Sequence, residues 1–247
     1  MIVGMAMGLG VASAALLGFS IWTARRWGEA RVPNRLPPAG RFLDGPAEFS
    51  FAVMGDSTGH IVTFAQILRH IRDHGPFAFV FHVGDQAKRP VSAHFEWLLA
   101  EIHRAAGPMP FFSIPGNHDV DKKANAPAHR LRHYHRAFGQ TDYWFSHGAT
   151  LFVALDNSAG RLEDPQLAWL DSTLEKLRPL FRSLIVFMHA PPAKPGPGKY
   201  DCMKRGGDEL YAILKRHSAD AIFCGHIHAH HDAMFHDIPM RVAPSSG

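Results

Sequence analysis

An α/β fold is predicted for this chain by two observations. From residue 50 onward, short apolar runs of strand length alternate with amphipathic segments of helix length. Five of those apolar runs end at once in a polar cluster that carries Asp, Asn or His. Strands of an open α/β sheet deliver residues to one crevice in this way. With 247 residues, 46% hydrophobic and 19% charged, the chain can bury one substantial core and is not compositionally disordered. A formal charge of +4 suits anionic substrates. No aromatic platform or concentrated basic stripe accompanies it, so specific nucleic-acid binding is not expected. Two cysteines with no CxxC spacing indicate neither a disulfide framework nor a cysteine zinc site.

In chain order, residues 2–24 hold no charged residue and are long enough to cross a bilayer as a helix. Arg25 and Arg26 close the run, and Arg31 and Arg35 follow. Residues 1–26 are therefore expected to be a single-pass membrane anchor, with the domain behind those arginines on the cytoplasmic side. The alternative is export, with cleavage near Ala12-Ser13-Ala14. Residues 27–47, with Pro33, Pro37, Pro38 and Pro46, read as a linker, and 48–247 as the folded domain. Strands are expected at 50–54, 77–83, 111–114, 143–146, 150–155, 183–188 and 221–224. Helices are expected at 61–74, 93–106, 128–138, 165–177 and 208–217. In the fourth helix Asp164 can cap, Pro165 suits the first turn, and Leu167, Leu170, Leu174 and Leu177 form one apolar stripe. Residues 143–155 read as a hairpin turning at His147-Gly148.

The polar clusters are Asp56-Ser57-Thr58, Gly84-Asp85, Gly116-Asn117-His118-Asp119, His189 and Gly225-His226-Ile227-His228. Carboxylate, amide oxygen and imidazole are ligands for divalent transition metals. Glycines before Asp56, Asp85, Asn117 and His226 are expected to make the sharp turns that present those ligands. Taken singly, Asp85 would be a turn or cap residue and His189 a satisfied, partly buried histidine. Their joint occurrence at five strand ends points to a metal site.

These blocks resemble the calcineurin-like metallophosphoesterase superfamily, whose pattern is Asp-x-His, Gly-Asp, Gly-Asn-His-Asp/Glu, a lone His, and Gly-His-x-His. Gln166-Leu167-Ala168-Trp169-Leu170 is similar to that family's Q-x-x-W-L segment. The resemblance implies a four-layer α/β/β/α sandwich of two mixed sheets and two divalent or trivalent transition-metal ions (Mn, Fe or Zn). It implies that Asp56 and His228 hold the first metal, that Asp85 bridges, and that Asn117, His189 and His226 hold the second. His118 would protonate the leaving oxygen, with Asp119 orienting its ring. The implied activity is hydrolysis of a phosphoester or phosphoanhydride by metal-activated water; the alternative is a non-catalytic metal-binding or interaction module. Expected partners are a phosphorylated small-molecule or lipid-linked substrate and, through the N-terminal helix, a membrane.

One position departs from the family pattern. Thr58 stands where the first block has histidine, so the first metal would have weaker protein ligation, or His60 would replace it, or Thr58 would face the substrate phosphate. The chain is not a good match to purple acid phosphatases, because Lys88 stands where they have tyrosine. Lys199 and Arg205, in a Pro/Gly-rich basic segment after His189, are expected to overhang the site and meet substrate. His129, His133 and His135 with Arg130, Arg132 and Arg136 read as the solvated basic face of the third helix.

Overall fold

The computed structural model describes residues 41–43 (backbone), 45–126, 129–198 and 201–247. Contacts divide the chain into Met1–Arg31 and Val32–Gly247, and every described residue lies in the second unit. The expected anchor lies outside the described residues, among which no helix is long and apolar enough to cross a membrane.

The elements run β1 (Arg41–Leu43), β2 (Ser50–Met54), α1 (Ile61–His74), β3 (Phe77–His82), α2 (Ser92–Ala106) and β4 (Phe111–Ser113). They continue α3 (Arg132–Phe138), β5 (Tyr143–His147), β6 (Thr150–Ala154), α4 (Asp164–Leu177) and β7 (Ser183–Phe187). The chain closes with α5 (Gly207–Arg216), β8 (Ala221–Cys224), β9 (His231–Phe235) and β10 (Ile238–Val242). One sheet has the order β1-β5-β6-β7-β8-β10-β9, and the other β2-β3-β4.

Side-chain alternation stacks these sheets face to face. Val80 and Phe111 point outward to Phe64, Leu68, Phe95 and Leu98 of α1 and α2. Phe79, Phe81 and Phe112 point inward to Phe145, Phe152 and Phe187 of the larger sheet. The Phe81 and Phe187 rings stack at 3.6 Å between centroids. On the far side of the larger sheet, Leu151, Val153, Leu184 and Val186 meet Leu167, Leu170 and Leu174 of α4 and Leu210 and Leu214 of α5. Three apolar layers thus separate four structural layers, the expected α/β/β/α sandwich.

The larger sheet is mixed, because β5–β6 and β9–β10 are antiparallel hairpins. The smaller is parallel throughout, a correction to the expected pair of mixed sheets. The reason is connectivity: helices or long crossovers join β2 to β3 to β4, and such links return strands in parallel. The hairpin turns at Gly148-Ala149, one residue later than expected, with His147 opposite Thr150 and Gly148 at φ 53°. The third helix begins at Arg132 instead of 128, which leaves Arg130 in the loop before it. There the Asp121 N–H donates to the Arg130 carbonyl at 2.8 Å.

Helix α4 starts one residue early, with Asp164 inside it and Glu163 as the capping residue. Gln166 Oε1 accepts the Glu163 N–H at 3.0 Å. Gln166 Nε2 donates to both Asp142 oxygens at 3.1 Å and to the Asp156 carbonyl at 2.9 Å. The Asp156 N–H donates to Asp142 Oδ1 at 2.9 Å. Burial, aided by the Asp156 charge, pushes the Asp142 carboxyl up to about 7. A raised carboxyl pKa makes the folded state bind more protons than the unfolded chain between that value and about 3.9. Its contribution is therefore full at low pH and is lost as pH rises through 7. Asp142→Asn removes the titration. Thermal melting of the wild type is expected to fall at least about 3 °C further between pH 5 and pH 8 than that of Asp142→Asn. Parallel melting curves would refute this.

Candidate metal centre

Every cluster singled out in the sequence sits just past the carboxyl end of a parallel strand: Asp56 after β2, Asp85 after β3, Asn117 and His118 after β4, His189 after β7, and His226 and His228 after β8. The two sheets meet there. Gly55 bridges to Ser245 in parallel, and the Ser246 hydroxyl donates to the Gly55 carbonyl at 2.6 Å. The His226 N–H reaches both Asp56 oxygens at 2.9 and 3.0 Å.

Two groups of side chains converge. Asp85, His189 and His226 place ligand atoms within 4.8 Å of one another, as do Asp56, Asp85 and His228. Asp85 belongs to both. Asn117 joins the first group, with Oδ1 3.1 Å from His189 Nε2. His189 Nδ1–H donates to the Val83 carbonyl at 2.8 Å, which turns Nε2 inward. There it lies 3.2 Å from His226 Nδ1 and 3.4 Å from an Asp85 oxygen. In the second group His228 Nε2 is 3.4 Å from Asp56 Oδ1. Asp56 and Asp85 are 0% and 1% exposed, a costly place for two carboxylates.

Burial raises the Asp56 carboxyl to about 6, with the Asp85 charge adding to the rise. Burial would raise Asp85 too, but the hydrogen bond and charge of His189 and the His118 N–H bring it down to about 2. His189, which burial alone would lower, is raised to about 9 by Asp85 and Asp56. Buried carboxylates, an amide oxygen and inward-turned imidazole nitrogens at these separations fit divalent cations, which would neutralise the acids more completely than one imidazole proton does.

The backbone contributes in a way the sequence reading did not anticipate. Asp56 (φ 55°), Thr58 (43°), Asp85 (57°), His226 (70°) and His228 (60°) all occupy the left-handed region. Non-glycine residues rarely do so, and a β-branched threonine least of all. The turns are thus made by the ligand residues themselves. The glycines mostly give room: a Cβ on Gly116 would strike the Asp85 carboxylate, and one on Gly225 would come within 2.5 Å of Asp56 Oδ2. Gly84 does both, with φ 101° and the His189 ring against its Cα.

The Thr58 N–H continues the β2–β3 ladder by donating to the Asp85 carbonyl at 2.8 Å. His60 precedes α1 and joins neither ligand group. The His118 N–H donates to Asp85 Oδ1 at 2.8 Å, and its ring, 49% exposed, holds Nε2 3.9 Å from Asp85 Oδ2. Asp119 does not orient that ring. Its carboxylate is 0% exposed and accepts the N–H groups of Gly116, Ala87 and Gln86 at 2.8, 2.8 and 3.2 Å. It ties the loop after β4 to the loop after β3. Arg205 pairs with Glu163 and Asp164, away from the ligand groups, and Lys199 lies outside the described residues.

Asn157 is a site residue that the sequence reading missed. It is fully buried, and its Oδ1 accepts the His189 and Ala190 N–H groups at 2.9 and 3.0 Å while Nδ2 donates to the Ala190 carbonyl at 2.7 Å. It fixes the turn that carries His189. The signal was present: Asp156-Asn157-Ser158 ends an apolar run as the five other clusters do. A cavity of about 310 Å³ opens against Asn117, His189 and His226.

A family profile described as calcineurin-like phosphoesterase matches residues 49–230. A probable glycerophosphodiester phosphodiesterase, GpdQ, from Arcobacter nitrofigilis is 29% identical over 155 residues, 56% of this chain and 52% of that protein. The chain thus spans about half the length of that relative. A dimetal phosphatase from Danio rerio superposes with a TM-score of 0.62 at 15% identity, over 81% of this chain and 88% of that one. GAP50 of Plasmodium, described as the anchor in the inner membrane complex, does so at 0.60 and 16%, over 80% and 71%. At such identities the superpositions show a shared fold.

Proposed function

This chain belongs to the calcineurin-like phosphoesterase family, and from that premise we propose that it hydrolyses a phosphoester bond in a metal-dependent reaction. The observation that carries the reading is the pair of ligand groups sharing Asp85 at the mouth of an open cavity. In this reading Asp85, Asn117, His189 and His226 hold one cation, and Asp56, Asp85 and His228 hold the other. Bound cations supply Lewis-acid polarisation of the phosphoryl group and activation of water.

The remaining work falls to the chain itself. His118 stands on the solvent side of Asp85 with its backbone pinned, so its ring can give a proton to the departing alkoxide. Val83 and Asn157 hold the His189 ring and backbone in register, and Asp119 keeps the Asp85 and Asn117 loops together. Thr58 leaves the Asp56–His228 position one imidazole short, so that cation is the more exchangeable of the two.

The relative's name supports a phosphodiester of a small alcohol among the substrates. The uncharged run at residues 2–24 supports a membrane anchor with the domain in the cytoplasm and a substrate at the membrane surface. Protection of residues 48–247 from external protease in intact cells would agree, and digestion would overturn that orientation.

The activity is tested by turnover of a chromogenic phosphomonoester and a phosphodiester with Mn, Zn or Fe. Hydrolysis that a chelator abolishes and added metal restores is expected, with close to one metal ion per chain surviving dialysis. Two tightly retained ions would refute the exchangeable position. Metal binding without turnover of any phosphoester would replace the hydrolase reading with that of a non-catalytic metal-binding module.

A further inference from the structure

The cavity beside Asn117, His189 and His226 has a second wall of uneven charge. Lys122, Arg130, Arg161 and Lys204 line it, and the single acid among its lining residues is Asp201. These cations come from three separated segments: the loop between β4 and α3, the loop after β6, and the segment between β7 and α5. Main-chain bonds fasten the segments. The Asp121 N–H donates to the Arg130 carbonyl at 2.8 Å, drawing the two ends of the first loop together. The Lys204 N–H donates to the Gly160 carbonyl at 2.8 Å, and Arg161 forms a parallel bridge with Arg205.

Among the described residues, two of the four charges are unpaired, and the other two are held only by exposed acids. Lys122 and Arg130 have no acidic partner among the described residues. Lys204 meets Asp201 at 3.6 Å with both side chains largely exposed, and Arg161 pairs with exposed Glu163. Exposed pairs of this kind contribute little and are readily redirected to a ligand. Asp201 also sits 3.8 Å from His226 Nε2, so part of its charge faces the ligand group. Four guanidinium and ammonium groups set against one carboxylate leave the cavity wall with an excess of positive charge that favours an anion among them.

We infer that this cavity is a subsite for a second oxyanion carried by the substrate in addition to the scissile phosphoester. The inference rests on the hydrolase reading for the position of the scissile group. Arginine forks and lysine ammonium groups both suit phosphate and carboxylate oxygens. A volume of about 310 Å³ lies at the small end of ligand cavities. The substrate class is then a small organic phosphoester bearing a further phosphate or carboxylate a few bonds from the ester. A long neutral alkyl ester does not use this wall.

The test compares kcat/KM of the metal-loaded enzyme for three esters of one skeleton, ending in a methyl, a carboxylate or a phosphate. The wild type is expected to prefer at least one anionic ester over the methyl ester by at least about tenfold, consistent with one or two charge-assisted hydrogen bonds. The more favoured anion identifies which oxyanion the subsite takes. The Lys122→Ala/Arg130→Ala double variant is expected to bring that ratio within about twofold of unity. Lys215→Ala, which removes an exposed cation on α5 paired with Asp237, keeps the ratio. Equal rates for all three esters in the wild type overturn the subsite while leaving the hydrolase reading standing.

A second arm does not need turnover. Inorganic phosphate is titrated calorimetrically into chelator-treated protein. Binding at least about tenfold weaker in the double variant than in the wild type supports the subsite. Equal binding, or none in either protein, overturns it. Absence of hydrolysis for every ester, with this binding difference intact, would sink the hydrolase reading alone.

Discussion

With metal supplied in excess, Asp85→Asn is expected to lower bound metal from two ions to at most one per chain and to cut turnover by about 10³-fold or more. Metal ions of this kind supply several kcal/mol of transition-state stabilisation, and each 1.36 kcal/mol is a factor of ten. Asp85 is singled out because it alone belongs to both ligand groups. Its carboxylate lies 3.4 Å from His189 Nε2 and also accepts the His118 N–H. An asparagine keeps the shape and can still accept that N–H, so the loop after β4 stays in place. It loses the anionic charge, which both groups require. The same charge helps raise the Asp56 and Asp119 carboxyls and the His189 imidazole. Elemental analysis with kcat measurement decides the matter. Two bound ions in excess metal, at wild-type activity, would remove Asp85 from the bridging position.

His118→Ala should behave differently. A loss of about 10²–10⁴ in kcat is expected for a general acid, with metal content unchanged. The ring is half exposed, is a member of neither ligand group, and stands 3.9 Å from Asp85 Oδ2. The diagnostic is the leaving group. Esters of poorly acidic alcohols need a proton on the departing oxygen, whereas esters of acidic phenols do not. The variant should therefore lose most with alkyl esters and least with nitrophenyl esters. A loss of equal size across the series would assign His118 to phosphoryl binding instead of proton transfer. Asp119→Ala should not mimic this selectivity. It strips the acceptor from three buried N–H groups, so its effect is on melting temperature and metal retention.

Much of the site was legible because each ligand follows its own strand within a few residues. Asp56, Asp85, Asn117, His189, His226 and His228 were all named from local clusters, and all meet in space. The role expected for Asp119 was not legible. The resemblance implied contact with His118, but the Asp119 carboxylate is taken up by the N–H groups of Gly116, Ala87 and Gln86. Lys204 and Arg205 show the same lesson at one-residue resolution. The bridge between Arg161 and Arg205 puts Lys204 on the cavity wall and turns Arg205 to Glu163 and Asp164. Strand β10 escaped notice because it carries Pro239, a residue that argues against a strand within a sheet. It lies between β8 and β9, and no local signal reports that placement.

Sequence alone determined the α/β class, the four layers once the family pattern was seen, and which strand-end residues are the candidate ligands, because hydrophobic period and ligand chemistry are properties of single segments. Only the tertiary structure decided that residues at the candidate ligand positions make the turns in the left-handed region, and that Asn157 and Asp119 brace the site. The same holds for Lys122, Arg130, Arg161 and Lys204, which meet around one cavity. Those facts depend on the directions in which distant loops point. Direction is set by backbone geometry and by packing between the sheets, which no short stretch of residues encodes by itself.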